Sequence, residues 1–381
     1  MTTNSRSPTD FATVNILDAS HRQALERALT RILHTNHVEV TYAEILDGMP
    51  LAATYREFFY AWKTHPSVNH IELCSGSLEK ARDFRAHFKI ASLQFSLVSY
   101  KTLLAFQDAA SGSKQFYLRL LELLAVSCHR IAVYLYDLGG RNHHHTEHER
   151  WRDRPGDDDP WGSHRPPIVF THGPYNAFEQ YPHGLADVAA YWAEARIFGG
   201  VFVFDRGETE TECREIYMHA CFPGSPRTLF ALTSKQFGEL IHFLLDEDGE
   251  LSDGSNESSA QVESTAQCPL PIRATSENRW RWDPWDAIAR FHVFRDKYER
   301  KVAEYKPIHL QPARRTGDWP ELGDQMLLDV CEYERQQGTH VDQAMIDRLK
   351  MSIKMVTPSS PLWPGYSRWA EEQSRPRFED E

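Results

Sequence analysis

Asp187, Tyr191 and Glu194 occupy positions i, i+4 and i+7 of a helix-like segment, so they share one helix face. At about 1.5 Å per residue, the two carboxylates are about 10 Å apart along the axis. Two carboxylates with an aromatic ring between them suit a cation such as a guanidinium or ammonium group. The hypothesis is that Glu194 and Asp187 bind such a group, while Tyr191 orients it or relays a proton. The alternative is an amphipathic helix with its polar side in water.

Further candidates lie on both sides of this helix. His172 and Asp205 end apolar segments that are predicted to be strands, and polar residues at strand ends are well placed for acid–base catalysis. Glu179 and Tyr181 lie in the loop that enters the helix, and they are predicted to contact the substrate. Arg206 is predicted to neutralise a phosphate or carboxylate. The alternative is a hairpin turn at 205–206 and a well-packed connector before the helix.

The segment 273–315 differs in charge from the rest of the chain. It contains eleven Lys/Arg and six Asp/Glu, a net of +5, in a protein whose formal net charge is −12. Within it, Arg279, Trp280, Arg281 and Trp282 alternate cationic and aromatic side chains, a pattern typical of single-stranded RNA contacts. These four residues are predicted to bind RNA. The alternative is that arginines stack on tryptophans at a domain surface.

Metal and cofactor signatures are weak. His144 and His148 are four residues apart, with Glu147 and Glu149 beside them, but the order differs from HExxH. The six cysteines form no CxxC pair, which indicates free thiols. The chain has neither a GxGxxG nor a GxxxxGK[ST] motif, nor the GxSxG elbow. The sequence therefore predicts no metal site and no cofactor.

The bulk composition indicates a globular protein with a sizeable core. The chain has 381 residues, of which 41% are hydrophobic and 12% aromatic. Its acidic net charge disfavours non-specific nucleic-acid binding over the whole surface, and no DNA partner is expected. It has no apolar signal core at the N-terminus and no run of 18 apolar residues. We expect a cytoplasmic protein without membrane association.

The hydrophobic periodicity predicts an α+β fold: a central antiparallel or mixed sheet, a meander, covered by helices, with a helical C-terminal region. Strands are predicted at 37–42, 70–77, 131–137, 168–172, 201–205, 215–222 and 228–233, and a long helix over 283–305 that begins with Asp283 and Pro284. The predicted organisation is a disordered lead (1–15), an N-terminal α/β region (16–138), a polar loop (139–167), a core of β-meander and helices (168–245), an acidic flexible insertion (246–270), a helical region (271–356) and a tail (357–381).

The stretch Tyr181–Gly207, written YPxGxADxxxYWAExRIxGGVxxFDRG, resembles a motif of many ascomycete proteins. The segment 283–301, DPWDAIARFHVFRDKYERK, is similar to a recurrent helix of the same proteins. The resemblance covers about residues 165–305. It implies an enzyme of fungal specialised metabolism.

Within that group the chain resembles the fungal arginine-containing cyclodipeptide synthases. These enzymes join arginine to a second amino acid, and both amino acids come from aminoacyl-tRNAs. The resemblance implies a transferase whose partner is an aminoacyl-tRNA or a small-molecule substrate. Of the family's Asp-Asp-x-x-Glu motif the chain has only partial copies, at 296–299 and 318–321, and it lacks the serine motif of the bacterial synthases.

Two other functions fit the same residues. One is a non-catalytic interaction protein whose aromatic and acidic surfaces bind a partner. The other is a metal-dependent hydrolase that uses the loop with His144 and His148.

Overall fold

The computed structural model divides into two compact units. The helical unit comprises Met1–Val201 and Ser234–Ile272, and the sheet unit comprises Phe202–Thr233 and Arg273–Glu381. The structure describes residues 11–12, 14–57, 63–93, 95–140, 146–153, 165–220, 222–245, 267–296, 298 and 315–365. Most of the predicted acidic insertion, the outer parts of the predicted lead and tail, much of the polar loop and His144 therefore lie outside the described residues.

Helices form almost all of the regular structure in the helical unit. They are α1 (Ala19–Leu33), α2 (Asn36–Asp47), α3 (Ala52–Arg56), α4 (Ser77–His87), α5 (Leu97–Gln107), α6 (Lys114–Gly140), α7 (Thr146–Arg152), α8 (Leu185–Phe198) and α9 (Ser234–Leu245). A two-stranded antiparallel sheet pairs β1 (Phe11–Ala12) with β2 (Phe95–Ser96). Asp18 caps α1, because its side chain accepts a hydrogen bond from the His21 amide.

Helices α6 and α8 pack against each other over much of their length and form the centre of the helical unit. Most side chains of α8 are buried, including Asp187 at 3% exposed and Glu194 at 0% exposed. The interpretation of this segment as an amphipathic helix with its polar side in water is therefore wrong. The polar residues of α8 face protein.

The sheet unit contains the larger sheet, which has strand order β5-β4-β3-β6 and antiparallel pairings. Its strands are β3 (Val201–Asp205), β4 (Ile216–His219), β5 (Phe230–Ala231) and β6 (Val293–Phe294). The helices are α10 (Pro284–Arg290), α11 (Pro320–Gln336) and α12 (Gln343–Ser352). Together with the helical unit this confirms the predicted α+β class, with a meander of β3, β4 and β5 and helices at the C-terminal end.

Buried side chains attach helices to the sheet. Ala287 of α10 packs with Val203, Tyr217 and Leu229 of the strands and their neighbours. The Asp283 side chain accepts hydrogen bonds from the amides of Trp285 and Asp286, so the predicted start of this helix is confirmed. Helices α11 and α12 form a second cluster through Leu328, Cys331, Ile346 and Leu349.

Four predicted strands are wrong. Residues 37–42 belong to α2, where Val38, Tyr42 and Ile45 recur at helical spacing and lie buried. Residues 131–137 continue α6, while 70–77 and 168–172 contain no strand. In 37–42 and 131–137, β-branched and aromatic residues alternate with other residues as they would in a strand. A helix that is buried on several sides produces the same alternation.

The predicted helix over 283–305 is too long. Helix α10 ends at Arg290, and the chain then enters β6. His292 has φ of +55°, a left-handed conformation that a continuing right-handed helix excludes. Pairing of Val293 with Asp205 thus overrides the helical pattern.

None of the helices in the described ranges is both long enough and apolar enough to cross a membrane.

Gly199 ends α8 with φ of +100° and lies against the chain at Ile272. A Cβ atom at this position would collide with the Ile272 carbonyl oxygen and lie 2.8 Å from the Ile272 nitrogen. We expect Gly199→Ala to lower the free energy of unfolding by more than about 2 kcal/mol, because it adds a backbone clash to the cost of a left-handed alanine.

The matched control is Gly112→Ala, at φ of +78° with only an ordinary contact of 3.8 Å to the Tyr117 hydroxyl. Its cost should be about 1 kcal/mol. Denaturant unfolding of both variants measures the difference, and equal losses would contradict the close packing at Ile272.

Candidate functional site

A histidine of α6 lies between the two carboxylates of α8. His129 Nδ1 is 2.6 Å from Glu194 Oε1, and His129 Nε2 is 3.0 Å from Asp187 Oδ1. Asp187 and Glu194 are about two helical turns apart, so a single imidazole on the neighbouring helix reaches both. The structure thus joins two predicted site residues through a third that was not predicted.

The hydrogen bonds define the protonation state of this cluster. With both acids ionised, each carboxylate only accepts hydrogen bonds, so both ring nitrogens of His129 donate and the ring is an imidazolium. Burial opposes this charge, but the hydrogen bonds from His129 to Asp187 and Glu194 outweigh it and raise the His129 pKa. Burial likewise opposes the Asp187 charge, yet the bond from His129 holds the Asp187 pKa below its ordinary value.

Backbone and side chains fix Asp187 from the other side. The His183 amide donates to Asp187 Oδ2 at 2.6 Å. Arg130, next to His129 on α6, donates to His183 Nε2 at 2.7 Å. This bond requires an unprotonated Nε2, and burial, the largest cause, lowers the His183 pKa accordingly. Asp187 is therefore held by groups from α6 and from the loop that enters α8.

Aromatic rings cover the cluster. Tyr191, one turn from each carboxylate, meets the His129 ring edge-to-face at 4.7 Å. Tyr175 stacks on Tyr191 at 4.5 Å, and Tyr181 lies 5.3 Å from it. His172 contacts Tyr175 at 4.9 Å. Tyr191, Tyr181 and His172 thus join the cluster as successive members of one aromatic layer.

Among the trio of His129, Asp187 and Glu194, the His129 side chain is the most exposed to solvent. Its side chain is 12% exposed, against 5% for Asp187 and 0% for Glu194. The imidazole is therefore the least buried of the three side chains. The arrangement therefore offers an oriented, charged imidazole as a proton donor, and the carboxylates as its supports.

The remaining predicted residues of the loop and of β3 lie in other surroundings. Glu179 is exposed in a short 3-10 helix. Asp205 and Arg206 belong to the sheet unit, where Asp205 accepts a hydrogen bond from the Gly207 amide. Arg206 is buried, donates to the Arg295 carbonyl oxygen and lies over the Phe204 ring at 4.8 Å. These contacts shape the hairpin after β3.

The four predicted RNA-binding residues differ in exposure. Arg281 is 3% exposed, donates to the carbonyl oxygens of Asn278 and Thr275, and burial lowers its pKa to about 10. Trp282 packs with the sheet core, and Arg279 pairs with Asp324 at 2.8 Å. Trp280 is 45% exposed. RNA binding stays a prediction, and Trp280 is the member of the four best placed to meet a ligand.

His148 is a candidate metal ligand of a loop that is expected to be solvated, but it is buried. Its ring lies 5.5 Å from the His65 ring and 5.7 Å from Trp151, and burial lowers its pKa to about 4. Among the described residues, His148 belongs to no group of three that could hold a metal ion.

One partial copy of the Asp-Asp-x-x-Glu motif lies in the sheet unit. Asp318 accepts a hydrogen bond from the Arg227 amide at 2.7 Å, and Glu321 accepts one from the Ser360 hydroxyl. Both carboxylates are buried. In the structure they connect loops to the start of α11.

His129 is the residue that sequence reasoning missed. It lies in a helix that is apolar almost all round, and such a pattern directs attention to the apolar residues. The available signal was the pair His129-Arg130 itself, because charged side chains inside a buried helix need partners. Two carboxylates on another buried helix are the partners that such residues need.

Comparisons with protein-family models, with curated proteins and with solved structures found no match for this chain.

The cluster predicts a specific pH dependence of stability. The His129 pKa is raised on folding, so its contribution is complete below the ordinary value of 6.5 and is lost as the pH rises through the raised value. The Asp187 pKa is lowered on folding, so its contribution is complete above 3.8 and is lost as the pH falls through the lowered value. The stabilisation is therefore largest between pH 3.8 and 6.5.

We expect His129→Gln to lower the free energy of unfolding by about 3–5 kcal/mol in that window, because it leaves two buried carboxylates without their cation. The loss should shrink as the pH rises through the raised His129 pKa, because the wild-type ring loses its charge there. His87→Gln, at a histidine whose side chain is 78% exposed, is the matched control. Unfolding curves at several pH values test this, and a loss independent of pH would contradict an imidazolium.

Proposed function

We propose that the chain is a group-transfer enzyme in which His129 moves the proton and Glu194 and Asp187 hold its ring. The observation that carries the proposal is the position of the His129 imidazole, between two buried carboxylates and partly exposed. The sequence pattern alone predicts that Glu194 and Asp187 bind a cationic substrate. The cation beside them is the chain's own imidazolium, so their proposed role changes from substrate binding to positioning.

The two hydrogen bonds of the ring are unequal, which suggests a division of roles. The Nδ1 bond to Glu194 is the shorter, and Glu194 is fully buried, so Glu194 fixes the ring orientation. The Nε2 bond to Asp187 is longer, at 3.0 Å. Nε2 is therefore the nitrogen that exchanges Asp187 for a substrate atom and transfers the proton. Tyr191 packs on the ring and limits its rotation.

The proposed reaction is cyclodipeptide formation from aminoacyl-tRNAs in the cytoplasm, with arginine as one amino acid. The amine of one aminoacyl ester attacks the carbonyl carbon of the other, an amide C–N bond forms and the ester C–O bond breaks. The amine loses a proton and the ribose hydroxyl gains one. The His129 imidazolium donates a proton to the departing ribose oxygen, and the neutral ring then accepts the proton that the amine loses. The same step repeated, with the free amine of the dipeptide attacking its own ester, closes the ring. The resemblance of Tyr181–Gly207 and of 283–301 supports this choice.

A second candidate function is partner binding by the sheet unit. Helix α11 exposes Met326, Leu327, Val330 and Tyr333, which are 45–64% exposed. Contiguous exposed apolar side chains on a helix favour a protein partner. In that case the chain would yield no small-molecule product of its own.

The test is expression of the full chain in a heterologous host, followed by untargeted mass spectrometry of the extract. We expect a new arginine-containing diketopiperazine from the wild type. In His129→Gln its amount should fall by about 100-fold or more, the scale of general acid–base catalysis. His87→Gln should match the wild type, and soluble folded protein is verified for each variant by circular dichroism.

Glu194→Gln separates positioning from simple structural support. A neutral amide no longer stabilises the imidazolium, so the His129 pKa should fall and the alkaline limb of the pH–rate profile should move to lower pH. An unchanged profile would remove Glu194 from the proposal. A product that persists in His129→Gln would remove the site, and its absence from wild-type extracts would favour partner binding.

A further inference from the structure

A second polar cluster of the helical unit consists of Asp47, His70 and Cys74. One ligand atom from each, a carboxylate oxygen, an imidazole nitrogen and a sulfur, lie within 4.8 Å of one another. Asp47 Oδ2 and His70 Nε2 are 3.3 Å apart. Two ligands that are each about 2.0–2.1 Å from a tetrahedral Zn²⁺ ion are about 3.4 Å apart, so this pair already has the required spacing.

Hydrogen bonds orient two of the three ligands. The Cys74 amide donates to Asp47 Oδ1 at 2.5 Å, and the Ser77 hydroxyl donates to the same oxygen at 3.1 Å. The other oxygen, Oδ2, therefore faces His70. The Nδ1 of His70 donates to the Pro50 carbonyl oxygen at 3.2 Å. This is the usual support of a metal-binding imidazole, and it directs Nε2 toward the cluster.

The backbone holds this geometry at the end of α2. Gly48 ends that helix with φ of +88°, immediately after Asp47. Gly139 of α6 packs against the same turn, and a Cβ atom there would be 3.1 Å from the Leu46 carbonyl oxygen. The carboxylate is thus built into a fixed helix end, while Cys74 lies in the exposed turn before α4.

We propose that Asp47 Oδ2, His70 Nε2 and Cys74 Sγ bind one Zn²⁺ ion and leave a fourth position open to water. This departs from the expectation of no metal site. Mixed oxygen, nitrogen and sulfur ligands are a zinc set, and three protein ligands with an open position are typical of catalytic rather than structural zinc. The competing account is an ion pair between protonated His70 and Asp47, which requires no metal.

The test uses the full chain after chelation and dialysis. Co²⁺ replaces Zn²⁺ as the optical probe, because a cobalt–thiolate bond gives a near-ultraviolet charge-transfer band that histidine-only binding cannot produce. This readout separates the cluster from the histidine run 143–145. We expect one equivalent of Co²⁺ to produce the band and one equivalent of Zn²⁺ to remove it.

Variants give the test its specificity. Cys74→Ser should abolish the band and weaken Zn²⁺ binding in calorimetry by more than about 100-fold. Loss of a coordinating atom costs more affinity than loss of a hydrogen bond that orients a ligand. Ser77→Ala, which removes one support of Asp47, should weaken binding about 10–100-fold. Cys268→Ser, a matched change at a half-buried cysteine, should leave the band intact. Absence of a band in the wild type, or a band that survives in Cys74→Ser, would overturn the proposal.

Discussion

A charged imidazole between two buried carboxylates is the constraint on which the centre of the helical unit depends. His129 connects α6 to two points of α8 that are about two turns apart, so it fixes both the rotation of α6 and its position along α8. Dispersion contacts between apolar helices allow several arrangements of similar energy, whereas two directional bonds from one ring allow few. Removal of the ring would leave the carboxylates buried without their cation, and that cost is large.

The surroundings of the trio follow from this constraint. Asp187 must keep its charge within protein, and the His183 amide provides a second donor. Tyr191 is placed against the ring by its position between the two carboxylates, and Tyr175 and Tyr181 then cover Tyr191. The loop before α8 is thus ordered by the same residues that hold His129. The hydrogen bonds of His129, Asp187 and Glu194 thus exist without a ligand, and the packed rings keep the side chains in place.

The sequence predicted that Asp187, Tyr191 and Glu194 lie on one face of a helix, and it predicted the α+β class. Both predictions rest on helical periodicity and cap residues, which are local signals. It did not predict His129, because the partner of a buried carboxylate lies far away in sequence, 58 residues from Asp187. The strand at 37–42 failed for a related reason. Alternation of apolar residues is read locally, but helix α2 is buried on several sides, which only the tertiary structure decides.

Asp47, His70 and Cys74 escaped prediction for the same reason, since their spacing forms no recognised metal motif. The packing of α2 on α6 nevertheless positions both clusters. The Tyr42 hydroxyl of α2 donates to the Cys128 carbonyl oxygen, one residue before His129, at 3.3 Å.

Gly139, ten residues beyond His129, packs on the turn of α2 that leads to Asp47. Cys128 and Gly139 are 11 residues apart, so at about 1.5 Å per residue these two contacts are about 16.5 Å apart along α6. One rigid helix pair therefore serves two separate polar clusters. The two clusters therefore share a scaffold and lie at different positions along it.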